Sequence, residues 1–199
     1  MIKKLNRIQV EEKLKSLNLL VFTPREFQDI FVVSKNTASI FLSNNSRSGL
    51  FLKLRNGFYM LKDSRPSSYL IANRLYQPSY ISLESALAYY HLIPETVYGV
   101  SSVTTKATQE FIAPPGMFSY QKIKLAAFTG YSLQTIGGDK VLIADLEKAL
   151  ADYLYFVDLG AVSLNERLSL AGVKRRKLLM YAKLFGRNSL FKLIDKIYA

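Results

Sequence analysis

A chain of 199 residues that is 49% apolar has the surface to bury one large core or two small ones, and its composition is not that of a disordered protein. It has no cysteine, which excludes disulfides, thiol catalysis and cysteine-ligated zinc and fits a reducing, cytoplasmic setting. Its formal net charge of +12 points to a polyanionic partner, most simply nucleic acid.

The charge is segregated along the chain. Residues 1–65 hold 12 Lys+Arg against 5 Asp+Glu, residues 66–160 hold 6 against 8, and residues 161–199 hold 9 against 2, giving balances of +7, −2 and +7. The N-terminal stretch mixes charges throughout and lacks the apolar run of a signal peptide. No uncharged apolar run approaches the roughly 18 residues of a transmembrane helix, so no membrane partner is expected.

In chain order, Ile8, Val10, Leu14 and Leu17 predict an amphipathic helix over residues 7–19. Thr23 as cap, Pro24 at the first helical position and Glu26 three residues after Thr23 predict a second helix over Pro24–Phe31. After a short apolar turn at Val32 and Val33, Ser34 caps a third helix from Lys35 to about Asn45. On that helix Ala38, Phe41 and Leu42 can face a core. Lys35, Asn36, Ser39, Ser43 and Arg47 then face outward, small, polar and neutral to positive, with Thr37 able to face either way. Beyond Gly49, "LFLKLRNGFYML" alternates, and Asn56-Gly57 predicts a hairpin turn of type I′, with both central residues at positive φ.

Helix, two helices across a tight turn, then a hairpin is the order of a winged helix-turn-helix, which places a DNA-binding domain at 1–63. The outward residues of the third helix are candidates for base edges and phosphates in the major groove. Lys53 and Arg55 on the wing are candidates for phosphate contact, and Asn56 in the turn is a further DNA-binding candidate. "LKDSRPSSY" is polar and contains a proline, so it serves as linker to a second domain at 67–199.

That domain opens with a helix in "SSYLIANRLY" and a second from Ser82, as N-cap, to about His91. Strands follow at 96–104, 109–113, 117–124, 131–136 and 140–144, with turn chemistry at "PPG" and "GGD", which predicts an antiparallel sheet. Leu146, Ala149, Leu150, Tyr153 and Leu154 mark a further helix, and helices continue to the C-terminus. The fold class is α+β: an N-terminal winged helix-turn-helix followed by a mixed domain with an antiparallel sheet and C-terminal helices.

No catalytic set emerges. His91 is the only histidine and reads as a packing or capping residue. Asp145, Glu147, Asp152 and Asp158 form no expected metal site and read as a solvated helix face. Gly137-Gly138 lacks the following lysine and hydroxyl of a phosphate-binding loop. No enzyme, cofactor or metal is expected. Lys174, Arg175, Arg176 and Lys177 stand at a helix start, where the macrodipole disfavours cations, and are a candidate surface for a polyanion or partner. The alternative is a solvated helix packing through Leu178, Leu179, Ala182 and Phe185.

The segments "YISLESALAYYHLIPETVYGVSSVTTKAT" and "TIGGDKVLIADLEKALADYLY", preceded by a small winged helix, resemble the AbiEi family of type IV toxin-antitoxin antitoxins. The resemblance covers roughly residues 20–160 and is clearest from Tyr80 to Tyr155. The family often has a proline just before the Glu-Lys-Ala of the second segment, where this chain has Asp145-Leu146-Glu147-Lys148-Ala149. The resemblance implies a transcriptional autorepressor that binds inverted repeats in its own promoter. It also implies an antitoxin that counteracts a nucleotidyltransferase-like toxin, in an abortive infection system, without a stable complex. A stand-alone winged-helix regulator or interaction module with no toxin partner is the alternative.

Overall fold

Local start and stop signals lay out the N-terminal elements of the computed structural model, which describes residues 5–94 and 98–199. The chain divides into two units, residues 1–67 and 68–199. The whole is α+β, with eight α-helices among the described residues.

In the first unit, α1 (Arg7–Ser16) is capped by Asn6, whose side chain accepts from the Ile8 N–H. Only Val10 and Leu14 of its expected stripe are buried; Ile8 lies about 160° round the helix from Val10 and is exposed, and Leu17 is exposed because the helix ends at Ser16 and Asn18 turns the chain at positive φ. Strand β1 (Val21–Phe22) leads into α2 (Pro24–Phe31) and α3 (Lys35–Arg47), followed by β2 (Phe51–Arg55) and β3 (Phe58–Leu61). The capping box at α2 is complete: Thr23 Oγ accepts from the Glu26 N–H, and the Glu26 carboxylate accepts from the Thr23 N–H at 2.8 Å. Ser34 Oγ caps α3 by accepting from the Thr37 N–H.

The three strands form an antiparallel sheet in the order β1-β3-β2. Strand β1 lacked a sequence signal because two residues beside a helix cap carry no visible alternation. The turn at Asn56-Gly57 is not type I′, since only Gly57 has positive φ, and the ladder shifts register between Lys53 and Arg55. The core gathers Val10, Leu14, Phe22, Phe27, Ala38, Leu42 and Phe51. Within it Phe22 meets Phe51 edge-on at 5.5 Å and Phe27 tilts on Phe31 at 4.5 Å.

The second unit contains α4 (Ser68–Leu75), β4 (Ser79–Ile81), α5 (Leu83–Tyr89), β5 (Val100–Thr104), β6 (Gln109–Ala113), β7 (Gly116–Lys122), β8 (Tyr131–Ile136), β9 (Asp139–Ala144), α6 (Leu146–Asp158), α7 (Arg175–Lys183) and α8 (Asn188–Ile197). Its sheet runs β6-β7-β5-β4-β9-β8 and is mixed, which corrects the antiparallel expectation. Hairpins β6–β7 and β8–β9 are antiparallel as their turns dictate, but β5 pairs with β7 and β4 with β9 in parallel. The missing piece was β4, three wholly buried residues with no alternation to read, inserted between β5 and β9. Of the strand expected over 96–104, residues 96 and 97 lie outside the described residues and the ladder begins at Val100.

Helix α5 ends in a Schellman turn. His91 occupies the left-handed position at φ 57° and donates its N–H to Ala88 O, while the Leu92 N–H bonds Leu87 O at 2.8 Å. This is a capping role for the single histidine, whose side chain is exposed. Among the described residues, no helix is long and apolar enough to cross a membrane.

Candidate nucleic-acid interface

The outer face of α3 follows from its two buried positions. Ala38 and Leu42 anchor the helix and Phe41 is half-buried, so Lys35, Asn36, Ser39, Ser43 and Arg47 point outward and all five are exposed. Asn44 and Ile40, which composition alone did not mark, are exposed on the same helix. Thr37 is half-buried and its hydroxyl lies 2.9 Å from that of Ser34, so it is engaged with the cap. The face carries no carboxylate, since α3 contains no Asp or Glu.

On the hairpin, Lys53 and Asn56 are exposed. The Arg55 guanidinium instead lies 4.3 Å above the Phe58 ring, a cation–π contact that holds it half-buried against its own strand pair. Turn residue Val32, between α2 and α3, adopts φ 52° with 78% of its surface exposed. A β-branched residue in this region is strained.

The C-terminal basic cluster is divided by its partners. Arg175 donates to Asp195 at 2.7 Å, and Lys177 bridges Asp145 and Glu147 at 3.1 Å each. Burial pushes the Glu147 carboxyl up, but hydrogen bonds from Lys177 and the Lys174 N–H outweigh it and hold the group below its ordinary value. Tyr181 donates to Asp145 at 2.9 Å. Lys174 and Arg176 remain exposed. The cations that the macrodipole disfavours at the start of α7 are thus in part neutralised within the chain.

The carboxylates of α6 are not a solvated face, and this overturns the reading from composition. Asp152 and Lys148 are fully buried, Glu147 is buried, and the Asp158 carboxylate is nearly so. Helix α6 packs against α5, α7 and α8, so little of its surface is left for water. Lys148 Nζ pairs with Asp152 Oδ1, while Ser82 Oγ and Tyr80 Oη donate to Oδ2 at 2.7 and 3.1 Å. Burial pushes the Asp152 carboxyl up, against the pull of Lys148, Ser82 and Tyr80. The Lys148 ammonium also lies 4.9 Å from the Phe185 ring centre. Ser82, expected as a side-chain cap, makes no cap bond because its hydroxyl is committed to Asp152.

The signal that could have located this network is the i,i+4 pairing of Lys148 with Asp152 on a helix with apolar residues on every side. Among the described residues, no group of three or more His, Cys, Asp or Glu could hold a metal ion. No protein-family model matches the chain. No curated protein matches it either.

Proposed function

We propose that this chain is a DNA-binding transcriptional autorepressor and antitoxin, whose N-terminal unit is a winged helix-turn-helix. In this reading α3 enters the major groove, the β2–β3 hairpin is the wing, and Lys53 meets phosphate. The observation that carries it is the outer face of α3: five exposed polar or basic side chains, no carboxylate, and a helix start fixed by Ser34. The +7 balance of residues 1–65 supplies the long-range attraction to a polyanion.

The antitoxin role, against a nucleotidyltransferase-like toxin, rests on the resemblance of two segments to the AbiEi family. Those segments meet in the second unit, where Tyr80 and Ser82 of the first bond Asp152 of the second.

Fluorescence anisotropy with the duplex upstream of the gene, against a scrambled duplex across a salt series, tests the DNA-binding half. Tighter binding to the upstream duplex is expected, with log affinity falling linearly in log salt. Equal, weak binding to both duplexes overturns it. Co-expression with the neighbouring gene product tests the other half: growth should be rescued, and its failure removes the antitoxin role while leaving the repressor.

A further inference from the structure

We infer that Ile40 reads thymine, by placing its side chain against the C5 methyl group in the major groove; the inference rests on α3 being the groove-entering helix. At about 100° per residue, Ile40 points roughly 160° away from both Ala38 and Leu42, near the centre of the outward face. Asn36, Ser43, Asn44 and Arg47 share that centre within about 60°, Ser39 flanks it at about 100°, and Lys35, in the first turn, is exposed about 140° round from Ile40. Ile40 is 62% exposed and is the only apolar side chain among these seven outward positions. Among the described residues of the first unit the other exposed aliphatics, Ile8, Leu17 and Val32, lie on or just after α1 and in the turn between α2 and α3.

An isoleucine here leaves most of its apolar surface in water. It is not among the buried residues of the core, and its branched Cβ makes it a poorer helix former than the lysine or glutamine that water would favour at the same place. It also cannot donate or accept a hydrogen bond, so it cannot read a purine edge. The thymine methyl is the apolar group that the major groove offers. Asn36, one turn earlier on the same face, has the amide that pairs with adenine N6 and N7. The two side chains together suit a site rich in A·T pairs.

The test starts from a duplex selected by the full chain from a random-sequence pool. That duplex is remade with deoxyuridine replacing thymidine one position at a time, which removes a methyl and leaves base pairing intact. At one or two positions binding should weaken about fourfold, the effect of losing one buried methyl-sized group. In an Ile40→Ala chain, whose thermal midpoint should match the parent because the residue is exposed, thymidine and deoxyuridine duplexes should bind alike at those positions. A Lys53→Ala chain should bind both more weakly by one common factor. Sequence-dependent binding that no deoxyuridine weakens overturns the assignment of Ile40 alone, as does an Ile40→Ala chain that keeps the parent's sensitivity. Failure to select any sequence overturns both this inference and the DNA-binding reading.

Discussion

Asp152 shows how much one side chain in this protein depends on its neighbours. Its carboxylate is buried with Lys148, and the pair is tolerable because Ser82 and Tyr80 satisfy the second oxygen. Replacing Lys148 by Met strands that carboxylate and should cost about 3–5 kcal/mol in urea unfolding. Combining Lys148→Met with Asp152→Asn removes both charges and keeps an acceptor for Ser82 and Tyr80, so the double variant should be more stable than Lys148→Met alone. A double variant as unstable as the sum of the singles would show that the ion pair is not the coupling element. At the edges of α6 the sign is different. Glu147 and Asp158 are held below their ordinary values of 4.5 and 3.8: burial opposes this, but bonds from Lys177 and from Arg187 and Ser189 win. A depressed native value means the folded state binds fewer protons than the unfolded one. Their contribution is therefore complete above those ordinary values and is lost as pH falls through the lower native ones. Asp158→Asn should lower the unfolding midpoint at neutral pH and flatten its decline in acid.

At the scale of elements, the caps are worth testing one by one. Thr23→Ala breaks the capping box at α2 and should cost about 1 kcal/mol. Val32→Gly should act in the opposite direction. The residue holds φ 52° with its side chain mostly in water, so glycine removes the strain and little burial. A gain of about 1 kcal/mol is expected after the added entropy of the unfolded chain is subtracted. A loss of stability in a thermal melt would mean that the side chain, and not the backbone, holds the turn between α2 and α3. The Ser34 cap, the Thr23 box and the Schellman turn at His91 are all made by residues within six positions of each other. They are the features that a reading of neighbours can find.

At the scale of the molecule, a net charge of +12 favours a polyanion over long range, while the number of phosphates its cations contact sets how any nucleic-acid binding responds to salt. If Lys53 meets a phosphate, Lys53→Ala should weaken binding to every sequence and reduce the slope of log affinity against log salt by about one. An unchanged slope would take Lys53 off the interface. What the sequence by itself determined is local: the starts of α2 and α3, the β2–β3, β6–β7 and β8–β9 hairpins, and the outward placement of Lys35, Asn36, Ser39, Ser43 and Arg47. Each follows from hydrogen bonds or side-chain periods spanning a few residues, so neighbours in sequence carry the whole signal. Tertiary structure decided the rest. The mixed sheet depends on β4, too short to alternate, finding partners 20 or more residues away. The burial of Asp152 depends on Tyr80 and Ser82, 72 and 70 positions earlier. An aspartate four residues after a lysine looks the same in sequence whether water or three helices surround it. The apolar residues all round α6 hint that the pair is buried, but what packs around the helix gives the pair its energy, and its partners Tyr80 and Ser82 are set by the tertiary fold alone.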